Sequence, residues 1–267
     1  MPDALDDCDR LLGGFVERPA LKRYTAAFAE HFDIHWDSGV VEIRMHTEGG
    51  SVVFSRALLN AWGRVLAEAG ADPDNEVLII TGTGRQWMAG GDPRSFAQPL
   101  SQWSSDLLYE QYSDGARLLE GLVLGVDVPT IGVLNGLGPR QELALCDITL
   151  CADDVVIADG NFAAGPVPGD GMYLALEELL GTKRAAHLAY TGGGIDSATA
   201  LQWGLVNEVL PRDQLMDRAR RVAETIMAAP RTSRRLTHAV ISRPWRRRIT
   251  EELRGGYARQ LLASSGN

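Results

Sequence analysis

Cysteines, long apolar runs and positive charge are all scarce in this chain of 267 residues. Its three cysteines fit neither a zinc site nor a set of disulfides, and we expect no metal and no cofactor. No stretch approaches the roughly 18 apolar residues that a membrane span needs. No basic start precedes an apolar segment, as it would in a signal peptide. We therefore expect a cytoplasmic protein that has no membrane partner.

The charge balance is acidic. Asp and Glu number 35 against 26 Lys and Arg, a formal net charge of -9, which argues against nucleic acid as a partner. Apolar residues make up 45% of the chain and charged residues 23%, as in globular proteins. A chain of this length buries a substantial core. The net charge does not exclude a small anionic ligand, because the local charge around a site decides that.

Short apolar strands alternate with helical patterns along residues 34–158, whereas the last hundred residues have mostly helical periodicity. Such alternation predicts an α/β fold with largely parallel strands. We divide the chain into an N-terminal arm (residues 1–31), a core (residues 32–210) and a C-terminal helical region (residues 211–267).

Two glycine-rich stretches are candidates for chemistry. The first, residues 161–171, places Asn161 and Asp170 among turn-forming residues just before a predicted helix. A carboxylate there can orient or transfer a proton, or it can simply cap the helix. The second, residues 81–92, follows a buried strand and matches a nucleotide-binding fingerprint poorly. It can aim backbone N–H groups at an oxyanion, or it can be a plain connecting loop.

Several motifs in order along the chain resemble the crotonase (enoyl-CoA hydratase/isomerase) superfamily. They are Thr81-Gly-Thr-Gly-Arg-Gln-Trp-Met-Ala-Gly-Gly-Asp92, Val128-Pro-Thr-Ile-Gly-Val-Leu-Asn-Gly136, Glu142-Leu-Ala-Leu-Cys-Asp-Ile148, the segment 162–171, and Tyr190-Thr-Gly-Gly with Ala198 to Glu208. The resemblance implies a crotonase-like ββα spiral core with a helical C-terminal extension. It also implies trimers or dimers of trimers, in which the C-terminal helices mediate trimerisation.

Within that superfamily the chain resembles the β-diketone hydrolases, the group of 6-oxocamphor hydrolase. The similar segments are Val41 to Gly49, which contains His46-Thr-Glu-Gly, and Gly165 to Gly171. Those enzymes use water to cleave a carbon–carbon bond between two carbonyls, a retro-Claisen reaction, without coenzyme A. The chain also lacks the Asn-Arg-Pro…Asn-Ala segment with which thioester-using members hold the coenzyme's adenine.

The resemblance assigns the oxyanion-binding N–H groups to Gly91 and Gly138. The usual glycine triplet before Glu142 is replaced by a shorter segment, in which Pro139 has no N–H to donate. The Arg140 guanidinium is a further candidate for holding an oxyanion or carboxylate; the alternative is an ordinary surface arginine. Glu142 lies where hydratases often carry an acid.

One departure from the diketone hydrolases concerns their catalytic pair. A histidine lies nine residues before the loop aspartate in those enzymes, and Asn161 takes that position here. An amide cannot accept and return a proton at neutral pH. Asp170 and His46 remain for proton transfer, with Asn161 as a hydrogen-bond donor to a substrate carbonyl. Glu251 is expected to orient His46.

The expected substrate pocket is apolar. Trp87 and Phe162 are its predicted lining residues, with four further aromatic candidates that more often pack a core: Trp36, Phe54, Trp103 and Tyr109. Together these features predict a coenzyme-A-independent enzyme that cleaves a compact β-dicarbonyl through an enolate. The alternatives are other enolate chemistry (isomerisation, decarboxylation, cyclisation), an acyl-CoA hydratase or isomerase, and a non-catalytic ligand-binding protein.

Overall fold

The structure of the protein, a computed structural model, describes residues 19–138 and 141–265, without the side chains of residues 141, 142 and 265. A sheet of six strands forms its centre. The strands are β1 (Phe32–Asp37), β2 (Val40–Met45), β4 (Val77–Thr81), β6 (Thr130–Leu134), β7 (Ile148–Ala152) and β10 (Glu208–Leu210), in the order β1-β2-β4-β6-β7-β10. Pairing is parallel except for the β1–β2 hairpin. Of the predicted N-terminal arm, the described part holds one helix, α1 (Leu21–Ala27).

The two central strands are buried along their whole length, which requires cover on both faces of the sheet. Every residue of β4 and β6 is buried. A continuous apolar run of this kind is the pattern of a parallel strand that lies between two layers. The predicted α/β architecture is thus explained by the composition of these strands.

Helices α2 (Arg56–Ala71) and α3 (Ser105–Val123) pack against each other beside the sheet. Each begins at a serine whose hydroxyl accepts a backbone N–H, Ser55 from Leu58 and Ser104 from Leu107. Gly63 lies directly against the backbone of α3, so the two helices approach more closely than side chains would allow. The start of α2 at Leu59 and the middle of α3 from Gln111 to Leu118 lie beside the candidate site.

Two short strands stand apart from the main sheet. β3 (Val52–Phe54) and β5 (Met88–Gly91) pair in parallel, with Phe54 opposite Gly91. The end of the glycine-rich segment 81–92 is therefore a strand rather than the loop that the sequence predicts. A second small pair joins β8 (Val156–Ile157) to β9 (Ile195–Asp196).

The remaining elements are mainly helical. They are α4 (Asn161–Ala164), α5 (Met172–Leu180), α6 (Thr182–Thr191), α7 (Ser197–Trp203), α8 (Leu215–Met227), α9 (Arg231–Ile241), α10 (Arg243–Arg248) and α11 (Arg254–Ser265), with 3-10 turns at Leu100–Gln102, Gln141–Leu145 and Arg212–Gln214 and a π turn at Ile249–Leu253. The predicted loop 161–171 thus begins with one helical turn, α4. No helix in the described part of the chain combines the length and apolar character needed to cross a membrane.

The C-terminal helices fold back onto the core. Helix α11 packs against α3 and the turn Leu100–Gln102. Helix α9 is held to the core by His238, whose Nδ1 lies 2.7 Å from Asp147 Oδ2. The helical C-terminal extension therefore supplies part of the wall of the cavity described next.

Candidate active site

A cavity of about 250 Å³ lies between α2, α3, α11 and the loop that precedes α5. Its apolar wall comes mainly from aromatic and leucine side chains, and its polar groups cluster on one side. The lining residues are Phe54, Leu59, Phe96, Leu100, Trp103, Gln111, Gly115, Leu118, Asn161, Asp170, Tyr257, Gln260, Leu261 and Ser264. Within this described lining Asp170 is the only carboxylate, and it contains no lysine, arginine or histidine. The cavity therefore suits a compact, neutral, largely apolar ligand.

Asp170 is held at the start of α5. Gly171 has a φ of 97°, which glycine adopts readily, and this turn brings the Asp170 carboxylate back over the helix start. Oδ1 accepts the Met172 N–H at 3.2 Å, so Asp170 caps the helix. Helix capping therefore leaves a role in proton transfer open to this side chain, because the Met172 N–H engages Oδ1 and not Oδ2.

Asn161 is the partner on the other side of that carboxylate. Its Nδ2 lies 3.4 Å from Asp170 Oδ1, 3.3 Å from Asp170 Oδ2 and 3.6 Å from Met172 Sδ. Its backbone N–H donates to Asp159 Oδ1 at 2.9 Å, which fixes the first turn of α4. The amide therefore points at Asp170, whereas the sequence predicted that it would bond a substrate carbonyl.

Gln260 joins these residues from α11, and the sequence reasoning missed it. Its Nε2 donates to Asn161 Oδ1 at 3.3 Å, and its Oε1 accepts the Gly169 N–H at 3.1 Å. The loop lies so close to α11 that a Cβ on Gly169 would meet the Gly256 backbone. No sequence motif marks Gln260, because the contact spans about a hundred residues of chain.

Tyr257 was also missed. Its hydroxyl accepts from Gln111 Nε2 at 3.2 Å, and its ring stacks on Tyr112 with centroids 6.3 Å apart. The ring occupies the space that a side chain on Gly115 would fill. A glycine inside the long helix α3 was therefore the available signal for a close approach.

The two predicted oxyanion-binding segments lie together. The Trp87 N–H donates to Leu137 O at 2.7 Å, which ties the segment ending at Gly91 to the one ending at Gly138. Gly138 has a φ of 72° and packs against the Met88 carbonyl. Both candidate amides thus belong to one hydrogen-bonded unit.

Gly91 lies next to the cavity wall, although neither it nor Gly138 is among the lining residues. It pairs with Phe54, and a Cβ on it would stand 3.6 Å from the Phe96 ring; both phenylalanines line the cavity. The Asp92 N–H donates to Phe54 O, so the Gly91 N–H, one residue earlier, is directed away from β3. The Arg94 backbone N–H holds the Asp92 carboxylate and lowers its pKa, which fixes the turn after β5.

Four further residues that the sequence singles out do not have a described side chain at the cavity. Pro139 and Arg140 lie outside the described residues, as does the side chain of Glu142. Phe162, predicted to bind substrate, is 49% exposed and packs edge-on against Tyr190, with centroids 5.1 Å apart. Phe162 is not among the residues that line the cavity.

His46 lies elsewhere. It is 7% exposed, its Nδ1 accepts the Gly49 N–H at 3.2 Å, and its Nε2 lies 3.5 Å from Asp33 Oδ1. Since Nδ1 is an acceptor, Nε2 carries the proton of the neutral ring. Glu251 lines a separate groove behind the loop, with Glu177. Within the described structure, therefore, neither His46 nor Glu251 lines the cavity, and the expected contact between them is absent.

Trp87 requires a correction. It is fully buried and packs against Trp62 with ring centroids 6.2 Å apart, so it belongs to the core rather than to the pocket wall. Because Trp62 belongs to α2, the Trp87 ring lies beneath that helix. Phe54 and Trp103, from the same group of aromatic candidates, line the cavity instead.

The described residues contain no cluster of histidine, cysteine, aspartate and glutamate side chains that would hold a metal ion. The site is instead a carboxylate held by amide donors, an apolar wall, and a backbone turn with an N–H directed away from its strand partner. Such an arrangement can bind a neutral carbonyl compound, stabilise negative charge on an oxygen, and move a proton.

Comparison with known proteins identifies the class to which this fold and site belong. The family model "Enoyl-CoA hydratase/isomerase" matches residues 35–259, and the chain belongs to this family, the crotonase superfamily. The predicted superfamily and fold are thereby confirmed.

Individual relatives divide between two kinds of enzyme. A probable enoyl-CoA hydratase of Mycobacterium tuberculosis is 30% identical over 212 residues, covering 78% of this chain and 79% of the relative. The carnitinyl-CoA dehydratase of Escherichia coli K12 is 32% identical over 170 residues, 62% of each protein. The structure of a β-diketone hydrolase from Anabaena, bound to (S)-3-oxocyclohexyl acetic acid, is similar with a TM-score of 0.85 and 30% identity, covering 91% of this chain and 97% of that one.

Proposed function

We propose that this protein is a coenzyme-A-independent hydrolase that cleaves the carbon–carbon bond between the two carbonyls of a compact, cyclic β-dicarbonyl. The observation that carries the proposal is the small, partly apolar cavity around a single carboxylate, whose described lining holds no positive side chain. Its volume of about 250 Å³ lies just below the roughly 300–1,000 Å³ typical of ligand pockets, so it suits a compact ligand.

The proposed reaction begins at a substrate carbonyl. Asp170 takes a proton from water, whose oxygen adds to the carbonyl carbon. The resulting oxyanion is stabilised by the N–H groups of Gly91 and Gly138. The carbon–carbon bond then breaks, and its electron pair forms the enolate of the second carbonyl. Asp170 returns its proton to the enolate carbon, so that a cyclic substrate opens to one keto acid.

The similarity to the Anabaena β-diketone hydrolase supports this reaction. Its ligand is a keto acid, the type of molecule that hydrolytic opening of a cyclic diketone produces. This chain differs from the diketone hydrolases in having Asn161 where those enzymes carry a histidine. We infer that proton transfer here depends on Asp170 alone, with Asn161 in a supporting role. We also expect trimers or dimers of trimers, as the family resemblance implies.

A thioester reaction is the second candidate, because the curated relatives include a probable enoyl-CoA hydratase and a carnitinyl-CoA dehydratase. Against it stand the amide at position 161, where the second hydratase acid would lie, and the missing adenine-binding segment. Isomerisation, decarboxylation or cyclisation through the same enolate would use the same residues. Thermal unfolding with coenzyme A separates the thioester candidate, since a bound ligand raises the melting temperature.

Ultraviolet absorbance of a panel of cyclic 1,3-diketones tests the proposal directly. The wild type should consume at least one of them, and Asp170→Asn should lower the rate by about 10²–10⁴-fold. Asp196→Asn is the matched control, because Asp196 also caps a helix through its carboxylate but lies outside the lining of the cavity. Turnover of an acyl-CoA without turnover of any diketone would refute the proposal.

A further inference from the structure

We propose that Gln260 is a positioning residue that fixes the direction of the Asn161 amide and thereby holds the Asp170 carboxylate for proton transfer. Its kinetic consequence rests on the proposed function. A chain of hydrogen bonds leads from Gly169, where donor and acceptor are unambiguous, to Asp170.

The chain begins at the Gly169 backbone N–H. This group can only donate, and it is shared between Val167 O at 2.8 Å and Gln260 Oε1 at 3.1 Å. The Gln260 amide must therefore turn its oxygen toward Gly169. Its nitrogen then faces the opposite way, toward Asn161.

The second step passes this direction on to Asn161. Gln260 Nε2 donates to Asn161 Oδ1 at 3.3 Å. With its oxygen so engaged, Asn161 presents its Nδ2 to both oxygens of Asp170, at 3.4 and 3.3 Å. A reversed Asn161 amide would place its oxygen against the carboxylate, an acceptor facing an acceptor, which is unfavourable.

Contacts of helix α11 hold Gln260 in place. Gly169 packs directly on the Gly256 backbone, one turn before Gln260 in α11. The Ser264 hydroxyl donates to Gln260 O at 2.8 Å. Because the amides of Asn161 and Gln260 cannot exchange protons with substrate, their contribution is to hold Asp170 in one orientation. A C-terminal helix thus sets the geometry of a carboxylate ninety residues earlier in the chain.

Gln260→Glu is the informative variant. It keeps an acceptor for the Gly169 N–H and the side-chain shape, but it replaces the donor to Asn161 with a carboxylate oxygen. Asn161 then faces a carboxylate on each side, so its amide should lose its single orientation toward Asp170. Gln260→Met, which removes both hydrogen bonds at similar volume, is the second variant in case the added charge prevents folding.

The first readout needs no substrate. In the wild type, NMR should show a nuclear Overhauser effect between the Asn161 side-chain amide protons and the Met172 methyl group, since Nδ2 lies 3.6 Å from Sδ. This signal should weaken clearly in Gln260→Glu. An undiminished signal in the folded variant would overturn the proposal, whether or not a diketone is the substrate.

The second readout is kinetic. With a diketone substrate, Gln260→Glu and Gln260→Met should each lower kcat by on the order of tenfold, with KM changed less than about twofold, because orientation of the acid rather than binding is disturbed. In an Asn161→Ala background the same changes should have almost no further effect. Equal losses in both backgrounds would overturn the proposal. Absence of diketone turnover by the wild type would count against the proposed function only, and the NMR result would still decide the role of Gln260.

Discussion

Gly169→Ala should separate the loop that carries Asp170 from helix α11. The added Cβ would stand 2.5 Å from the Gly256 carbonyl carbon and 3.2 Å from Gln260 Cβ. An ordinary contact between carbon atoms is about 3.5–4.0 Å. The loop must therefore move by roughly 1 Å, since the opposing atom belongs to a helix backbone and cannot rotate away.

Two consequences follow from that displacement. Forcing a methyl group into a packed contact costs about 1–3 kcal/mol, which for a protein of this size lowers the melting temperature by about 2–4 °C per kcal/mol. A displacement of about 1 Å at a catalytic group can cost about 100-fold in rate. We therefore expect loss of diketone turnover well beyond the loss of folded protein.

The assay pairs thermal unfolding with initial rates at a temperature well below the melting transition. Gly160→Ala is the matched control, because Gly160 lies just before Asn161 and a Cβ there meets nothing within 4 Å. That variant should keep its melting temperature within 2 °C and its rate within about twofold. The reasoning would be refuted if Gly169→Ala matched the wild type in both measurements.

Two further changes test the packing around the site and the anchoring of the C-terminal helices. Gly115→Ala should displace the Tyr257 ring and destabilise the fold by about 1–3 kcal/mol in urea unfolding. Gly255→Ala is the neutral control, because its added Cβ would meet only the tip of the Arg259 side chain. Equal losses of stability in the two variants would contradict this prediction. Burial alone would raise the pKa of Glu76, but hydrogen bonds, led by the one from Arg234, outweigh burial and lower the pKa. The stability that the Glu76 carboxylate contributes is therefore fully present above its pKa in the unfolded chain, and it is lost as the pH falls through its pKa in the folded protein. Glu76→Gln should therefore cost about 3 kcal/mol at pH 7, and this deficit should shrink below roughly pH 4; a deficit that is constant with pH would contradict the assignment.

The sequence was most informative where local pattern and chemistry agree. The apolar strands β4 and β6 predicted a buried parallel sheet, and they form its centre. The short segment containing Asn161 and Asp170 could be identified as a unit because its residues are close in the chain. The Asp170 carboxylate faces the cavity because the chain turns at Gly171, and the sequence shows this turn as a glycine before a predicted helix.

The parts that could not be predicted depend on contacts between distant segments. Gln260 and Tyr257 reach the cavity only because α11 folds back onto α3, and helical periodicity does not specify that docking. The motif that contains Trp87 favours a place in the pocket, but the ring is buried against Trp62. The family resemblance makes His46 a candidate for proton transfer, but a backbone N–H of its own turn donates to its ring.

Cleavage in ¹⁸O-labelled water is the most direct test of the central claim that water opens a diketone at Asp170. The purified enzyme, without coenzyme A, should convert a cyclic 1,3-diketone to a keto acid whose carboxylate carries one ¹⁸O by mass spectrometry, and Asp170→Asn should yield almost none. Recovery of unopened diketone, or formation of keto acid at an undiminished rate by that variant, would contradict the account.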